Sequence, residues 1–139
     1  MIKLIAADLD CTLVDTGNIH FESLNKALQE VSPEHVISIG EHLETFNGLP
    51  TRRKLEILRD TKGLCPTLFP LINQKKQQFT DFFVKRLVKP DDYVEQKKCL
   101  WKLKKDGYYL ACCSNAIQSS VITMLNCSVG CEVFDLILS

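Results

Sequence analysis

The stretch AADLDCTLVDT, residues 6–16, sets two carboxylates, Asp8 and Asp10, two positions apart where an apolar N-terminal run ends. At the end of a strand, side chains at i and i+2 point the same way and hold their charged groups a few ångströms apart. Something must offset that repulsion. A divalent cation does so naturally: Mg²⁺ takes one or two carboxylates together with waters and phosphate oxygens. Its charge keeps one acid anionic while the other carries a proton, so a nucleophile and a general acid/base can share one turn. An isolated Asp-x-Asp reads equally as turn and helix-cap residues in solvent, and context has to decide.

The elements that would position this pair are legible. Ile2–Ala7 (IKLIAA) is a near-continuous apolar run that suits a strand buried on both faces of a parallel sheet. Tyr108–Cys113 (YYLACC) after Asp106-Gly107, and Val133–Leu138 (VFDLIL), read the same way, giving three strands that bracket a long helical section. In that section Phe21, Leu24, Leu28 and Val31 share a helical face. Leu55 and Leu58 follow Thr51 as N-cap, and Phe79, Phe82, Phe83 and Leu87 repeat the spacing as a core stripe. Val94–Lys105 reads as a crossover helix whose lysines face water. Val121, Ile122, Met124 and Leu125 mark a helix that starts directly after Ser114-Asn115 at a strand's end.

Composition narrows the class. A chain of 139 residues, 45% hydrophobic and 24% charged, with 17 basic against 17 acidic side chains, is about one globular domain. Zero net charge and no aromatic interleaving of the lysines argue against a nucleic-acid partner. No apolar run is long enough to cross a membrane, and MIKLIAADLD is too short for a signal core, so the expected location is cytoplasmic. The seven cysteines form no CxxC pair or zinc spacing and read as reduced thiols, with Cys112 and Cys113 pointing to opposite faces of a strand.

Taken together, DLDCTLVDT after a first strand and an apolar strand ending in Ser114-Asn115 about a hundred residues later resemble the haloacid dehalogenase superfamily. Its first motif is DxDxT, and its second is an apolar strand ending in Ser or Thr. The helices inserted after the first motif look like the helical cap of the phosphoglycolate phosphatase and β-phosphoglucomutase branch. The resemblance implies an α/β fold: a Rossmann-like parallel core of residues 1–14 and 90–139, incomplete at about three strands, with an α-helical cap over 15–89. It also implies a Mg²⁺-dependent phosphomonoester hydrolase acting on a small phosphorylated metabolite. Asp8 would be the nucleophile that forms an aspartyl phosphate. Asp10 would protonate the leaving oxygen and then activate water. The metal would be held by the Asp8 side chain and the Asp10 carbonyl, while Thr12, Ser114 and Asn115 would bind the transferring phosphoryl group.

In the segment GLPTRRKLEIL, residues 48–58, Arg52 or Arg53 would meet the substrate's distal group, and His20 would lie near the cap hinge. An exposed helix surface suits all three equally. Lys75 and Lys76 either approach phosphate or flank Phe79 on the polar side. Two departures stand out. Cys11 occupies the position where the family usually has glycine. The sequence also stops at Ser139, before the family's third-motif lysine and fourth-motif acids, so the first strand is expected to expose an apolar edge beside Asp8. A partner chain or self-association would complete that sheet. A non-catalytic binding module and a phosphomutase are the alternatives to the hydrolase.

Overall fold

The computed structural model describes Met1 and residues 3–139. The chain runs β1 (Leu4–Asp8), α1 (Gly17–Val31), α2 (Ile39–Glu41), α3 (Thr51–Lys62), α4 (Phe69–Leu87), α5 (Val94–Lys105), β2 (Tyr109–Cys113), α6 (Gln118–Asn126) and β3 (Leu136–Leu138). It divides into two compact units, Met1–Gly17 with Asp81–Ser139, and Asn18–Thr80.

The first unit is built on a parallel sheet of order β1-β2-β3. Ala6 pairs with Ala111 and Asp8 with Cys113, while Ala111 pairs with Leu136 and Cys113 with Leu138. Parallel neighbours need long crossovers, and α5 and α6 supply helices within them. Alternation sorts the strand residues to two faces. On one, Leu110 and Cys112 are sealed beside Val121, Met124, Leu125, Val129 and Val133 in the core. On the other, Leu4, Tyr109, Leu136 and Leu138 are between 49% and 66% exposed, with only the small Ala111 buried at its centre.

β1 therefore differs from the doubly buried strand expected from its composition. Among the described residues it runs from Leu4; Ile2, the first residue of the expected run, lies outside them. It forms the edge of the sheet, and no residue in it is fully buried. β3 is likewise shorter than the apolar run 133–138. Val133 and Phe134 are buried ahead of the strand, and Asp135 clasps β2: its amide donates to the Leu110 carbonyl at 2.8 Å, and its Oδ2 accepts the Leu110 amide at 2.9 Å. Lys104 Nζ holds the other carboxylate oxygen at 2.9 Å. The turn before β2 requires Gly107, whose φ of 88° would strain any residue with a Cβ.

The second unit packs Leu24, Ala27, Leu28, Ile37, Phe46, Leu55, Leu58, Leu64 and Ile72 into one core. Asn25 pins the loop after α1 by exchanging two hydrogen bonds with Ile37, at 2.7 and 2.9 Å. Ser38 and Glu41 close a capping box at the start of α2, which passes directly into a wide helical turn over His42–Phe46. Two expectations shift here. Pro50, not Thr51, is the N-cap of α3. In α4 the buried positions are Ile72, Thr80 and Val84; of the expected aromatic stripe Phe79 packs against the core, whereas Phe82 and Leu87 are 53% and 59% exposed. The division between units at Thr80/Asp81 falls inside this helix, where a single burial period does not hold.

Candidate active site

Leu9 fixes the loop after β1. Its side chain is fully buried between the two acids, and its carbonyl accepts amides from Thr12 at 3.3 Å, Leu13 at 3.0 Å and Val14 at 3.1 Å. The Cys11 amide returns to the Val14 carbonyl at 2.7 Å, and buried Val14 anchors the far side. To close so tight a turn Cys11 adopts the left-handed conformation, φ 58°, as the sole non-glycine residue with positive φ among those described. The family preference for glycine at this position has its physical reason in that angle.

Each acid is held by hydroxyls. Asp8, exposed at the end of β1, accepts from Thr12 Oγ1 at 3.3 Å. Asp10 Oδ1 accepts from Thr16 Oγ1 at 2.7 Å, and its Oδ2 from Ser114 Oγ at 3.5 Å across 104 residues of sequence. Ser114 reaches this place because β2 pairs Cys113 with Asp8, and because its own amide is held by the Leu138 carbonyl at 2.9 Å. Its hydroxyl also accepts the Ala116 amide at 3.1 Å. The helix that was expected to open at Ser114-Asn115 begins at Gln118 with Ile117 as N-cap, so Ser114 shapes a turn and does not cap α6. Asn115 is exposed in that turn.

Asp8, Asp10, Thr12 and Ser114 are thus gathered at the C-terminal ends of neighbouring parallel strands, where open α/β sheets place their ligands. Thr16, fully buried and donating to Asp10, is a positioning residue that sequence reasoning missed. A threonine six residues beyond an aspartate obeys no strand or helix period. Burial pushes the Cys112 thiol up to about 11, helped by the charges of Cys113, Asp8 and other neighbours, so it is an inert core group beside the acids.

The other sequence-picked residues belong to the 18–80 unit. Lys76 Nζ donates to His20 Nδ1 at 3.3 Å, while Lys75 pairs with Glu30 at 2.6 Å. Arg52 and Arg53 both engage Glu56, at 3.3 and 3.1 Å, and the Arg52 side chain is 89% exposed. Lys54, between them and the core, went unnoticed in a basic run; its one signal was lying four residues before buried Leu58, on the apolar face of α3.

Comparison with known proteins supplies the family. The sequence profile of the haloacid dehalogenase-like hydrolases matches residues 5–139. The chain belongs to that family. Among solved haloacid dehalogenase-like structures, it is similar to a predicted phosphoglycolate phosphatase from Haemophilus somnus 129PT (TM-score 0.77, 23% identity, 99% of this chain and 62% of that one). It is similar also to CbbY from Rhodobacter sphaeroides in complex with phosphate (TM-score 0.77, 20% identity, 99% and 63%). A third is β-phosphoglucomutase from Clostridium difficile (TM-score 0.74, 17% identity, 99% and 61%). These likenesses establish the haloacid dehalogenase-like α/β fold, and the chain spans about three-fifths of the length of each relative. None of the curated proteins matches it. Among the described residues no helix is long and apolar enough to cross a membrane.

The donors at the site suit a hard cation. They are two carboxylates and hydroxyls, and among the described residues no cluster of three His, Cys, Asp or Glu forms a closed cage. Mg²⁺ fits such a site because it keeps several waters and takes the rest of its oxygens from one or two carboxylates and from substrate phosphate.

Proposed function

We propose that the chain is a Mg²⁺-dependent phosphomonoester hydrolase acting on a small phosphorylated metabolite. The observation that supports it is the convergence of Ser114 on Asp10, 104 residues apart in sequence, beside an exposed Asp8. In this reading an Asp8 carboxylate oxygen attacks phosphorus, the bond from phosphorus to the ester oxygen breaks, and Asp10 gives its proton to the departing alcohol. Asp10 then takes a proton from water as that water attacks the aspartyl phosphate, which releases inorganic phosphate and restores Asp8. Thr16 and Ser114 hold the Asp10 carboxyl in place through both steps, and Thr12 orients Asp8.

Asp8 and Asp10 are the residues that would hold Mg²⁺, which supplies charge neutralisation between an anionic nucleophile and an anionic substrate. Ser114 and Asn115 would contact the phosphoryl group. In the helical unit, His20, positioned by Lys76, and Arg52 are the residues assigned to the rest of the substrate.

Release of phosphate from a generic phosphomonoester, with and without Mg²⁺, tests this beside Asp8→Asn. Mg²⁺-dependent turnover that disappears in Asp8→Asn supports the hydrolase. Absence of turnover in the parent, or equal turnover in the variant, refutes it. A binding module without turnover is the second reading, favoured by the apolar sheet face that leaves Leu4, Tyr109, Leu136 and Leu138 in solvent.

A further inference from the structure

α5 is a helix of 12 residues in which Leu100 alone is fully buried. Its outward side holds two large apolar groups in solvent, Val94 at 43% and Trp101 at 36% exposed. With Pro90, Asp91, Lys102 and Lys105 they line a groove of about 610 Å³ on the Met1–Gly17, Asp81–Ser139 unit. Asp91, Val94, Lys98, Trp101 and Lys105 follow one another at intervals of three and four residues, the spacing of a seam against which a second helix packs.

Charge is sorted along this seam. Asp91 and Asp92 stand at its start and Lys102 and Lys105 at its end, and among the described residues none of the four has an ion-pair partner. The lysines between them are already neutralised, Lys97 by Glu132 at 2.6 Å and Lys98 by Glu95 at 2.7 Å. The helix dipole favours acids first and lysines last, but it gives no reason to leave Val94 and Trp101 together in water. A partner of uniform charge, such as a nucleic acid, would meet the wrong sign at one end. A seam acidic at one end and basic at the other is complementary to itself when turned end for end.

We propose that this face of α5 binds the same face of a second copy of the chain, as an antiparallel helix pair about a twofold axis near Lys98. That register sets Val94 beside Trp101 of the second copy and Asp91 beside Lys105 of the second copy, and the twofold axis repeats both contacts. Lys98 meets its counterpart on the axis with Glu95 already at its side, so no bare like charges face each other. The contact uses none of the exposed sheet residues Leu4, Tyr109, Leu136 and Leu138 and does not depend on turnover at Asp8.

Light scattering by the intact chain over a dilution series tests this. The expected mass is twice the chain's 15.8 kDa at the concentrated end and once that value on dilution. Reversing the basic end, Lys102→Glu with Lys105→Glu, or the acidic end, Asp91→Lys with Asp92→Lys, should each raise the midpoint concentration at least about tenfold, because like charges then face each other. Mixing the two reversed chains should restore association, since each supplies what the other lacks. A parent still single at about 1 mM overturns the proposal and leaves the groove to a different partner. Association that survives either reversal undiminished, as pairing through the sheet would, overturns it too, as does a mixture that stays dissociated. Should a reversed chain fail to fold, Trp101→Ser takes its place: loss of the double mass supports the seam, and an unchanged midpoint refutes it.

Discussion

Cys11 carries its left-handed backbone at φ 58° inside the loop that spaces the two acids, and replacing it measures how far that loop dictates its own sequence. A residue with a Cβ pays about 1–2 kcal/mol to sit in this region. Glycine removes that strain but loses about 0.5–1 kcal/mol more chain entropy on folding. Cys11 is exposed, so little burial is lost with its thiol. Cys11→Gly should therefore stabilise by about 0–1.5 kcal/mol, while Cys11→Val, β-branched in a region such residues avoid, should destabilise by about 1 kcal/mol or more. Urea unfolding followed by Trp101 fluorescence is the assay, because this single tryptophan belongs to the same compact unit as the loop. With a slope of about 1–3 kcal/mol per molar urea, the Gly and Val midpoints should stand about a third of a molar or more apart, in the order Gly, Cys, Val. In an ordinary extended or right-handed loop the order inverts: glycine costs about 0.5–1 kcal/mol and valine is nearly neutral. Finding that inverted order would refute the loop geometry and with it the reason for a small residue beside Asp10.

Leu9→Ala removes a fully buried side chain from the base of the same loop and should cost about 2–5 kcal/mol by urea unfolding, with loss of any Mg²⁺-dependent turnover at denaturant-free pH 7. Glu41 is held down to about 2, first by the Lys62 ammonium and then by the Ser38 amide. A depressed carboxylate stabilises above its ordinary value of 4.5 and loses that contribution as pH falls toward 2, so Glu41→Gln should flatten the thermal midpoint across this window. His42 is also depressed, by burial and then by Lys54, so stability should be full above its ordinary value of 6.5 and decline as pH drops below it. His42→Gln, read by thermal midpoints between pH 7 and 5, should lessen that decline.

The parts of the fold that repeat were readable in the sequence, and the parts set by neighbours were not. Val94–Lys105 comes out at the expected bounds and Tyr109–Cys113 within one residue of them, because a crossover helix and a central strand state their periods plainly. β1 has an equally apolar run, but composition does not say which strand lies at an edge, and edge position governs its exposure. Phe82 and Leu87 fit a helical stripe and still face solvent, because α4 turns different residues inward at its two ends. At the site, Asp8, Asp10, Thr12 and Ser114 were legible as motif positions. Thr16 was not, since a hydroxyl six residues beyond an aspartate becomes informative only when burial is known.

Apart from the Ser114 hydroxyl that reaches Asp10 from the end of β2, the bonds described around the acids close over short spans: Leu9 gathers amides from Thr12, Leu13 and Val14, Thr12 reaches Asp8, and Thr16 reaches Asp10. Residues 8–16 consequently behave as a cassette whose internal wiring does not pass through the insert that follows. Evolution, or a protein engineer, could lengthen, shorten or exchange residues 18–80 and leave the spacing of the two carboxylates intact. A single insertion within 8–16 would erase it.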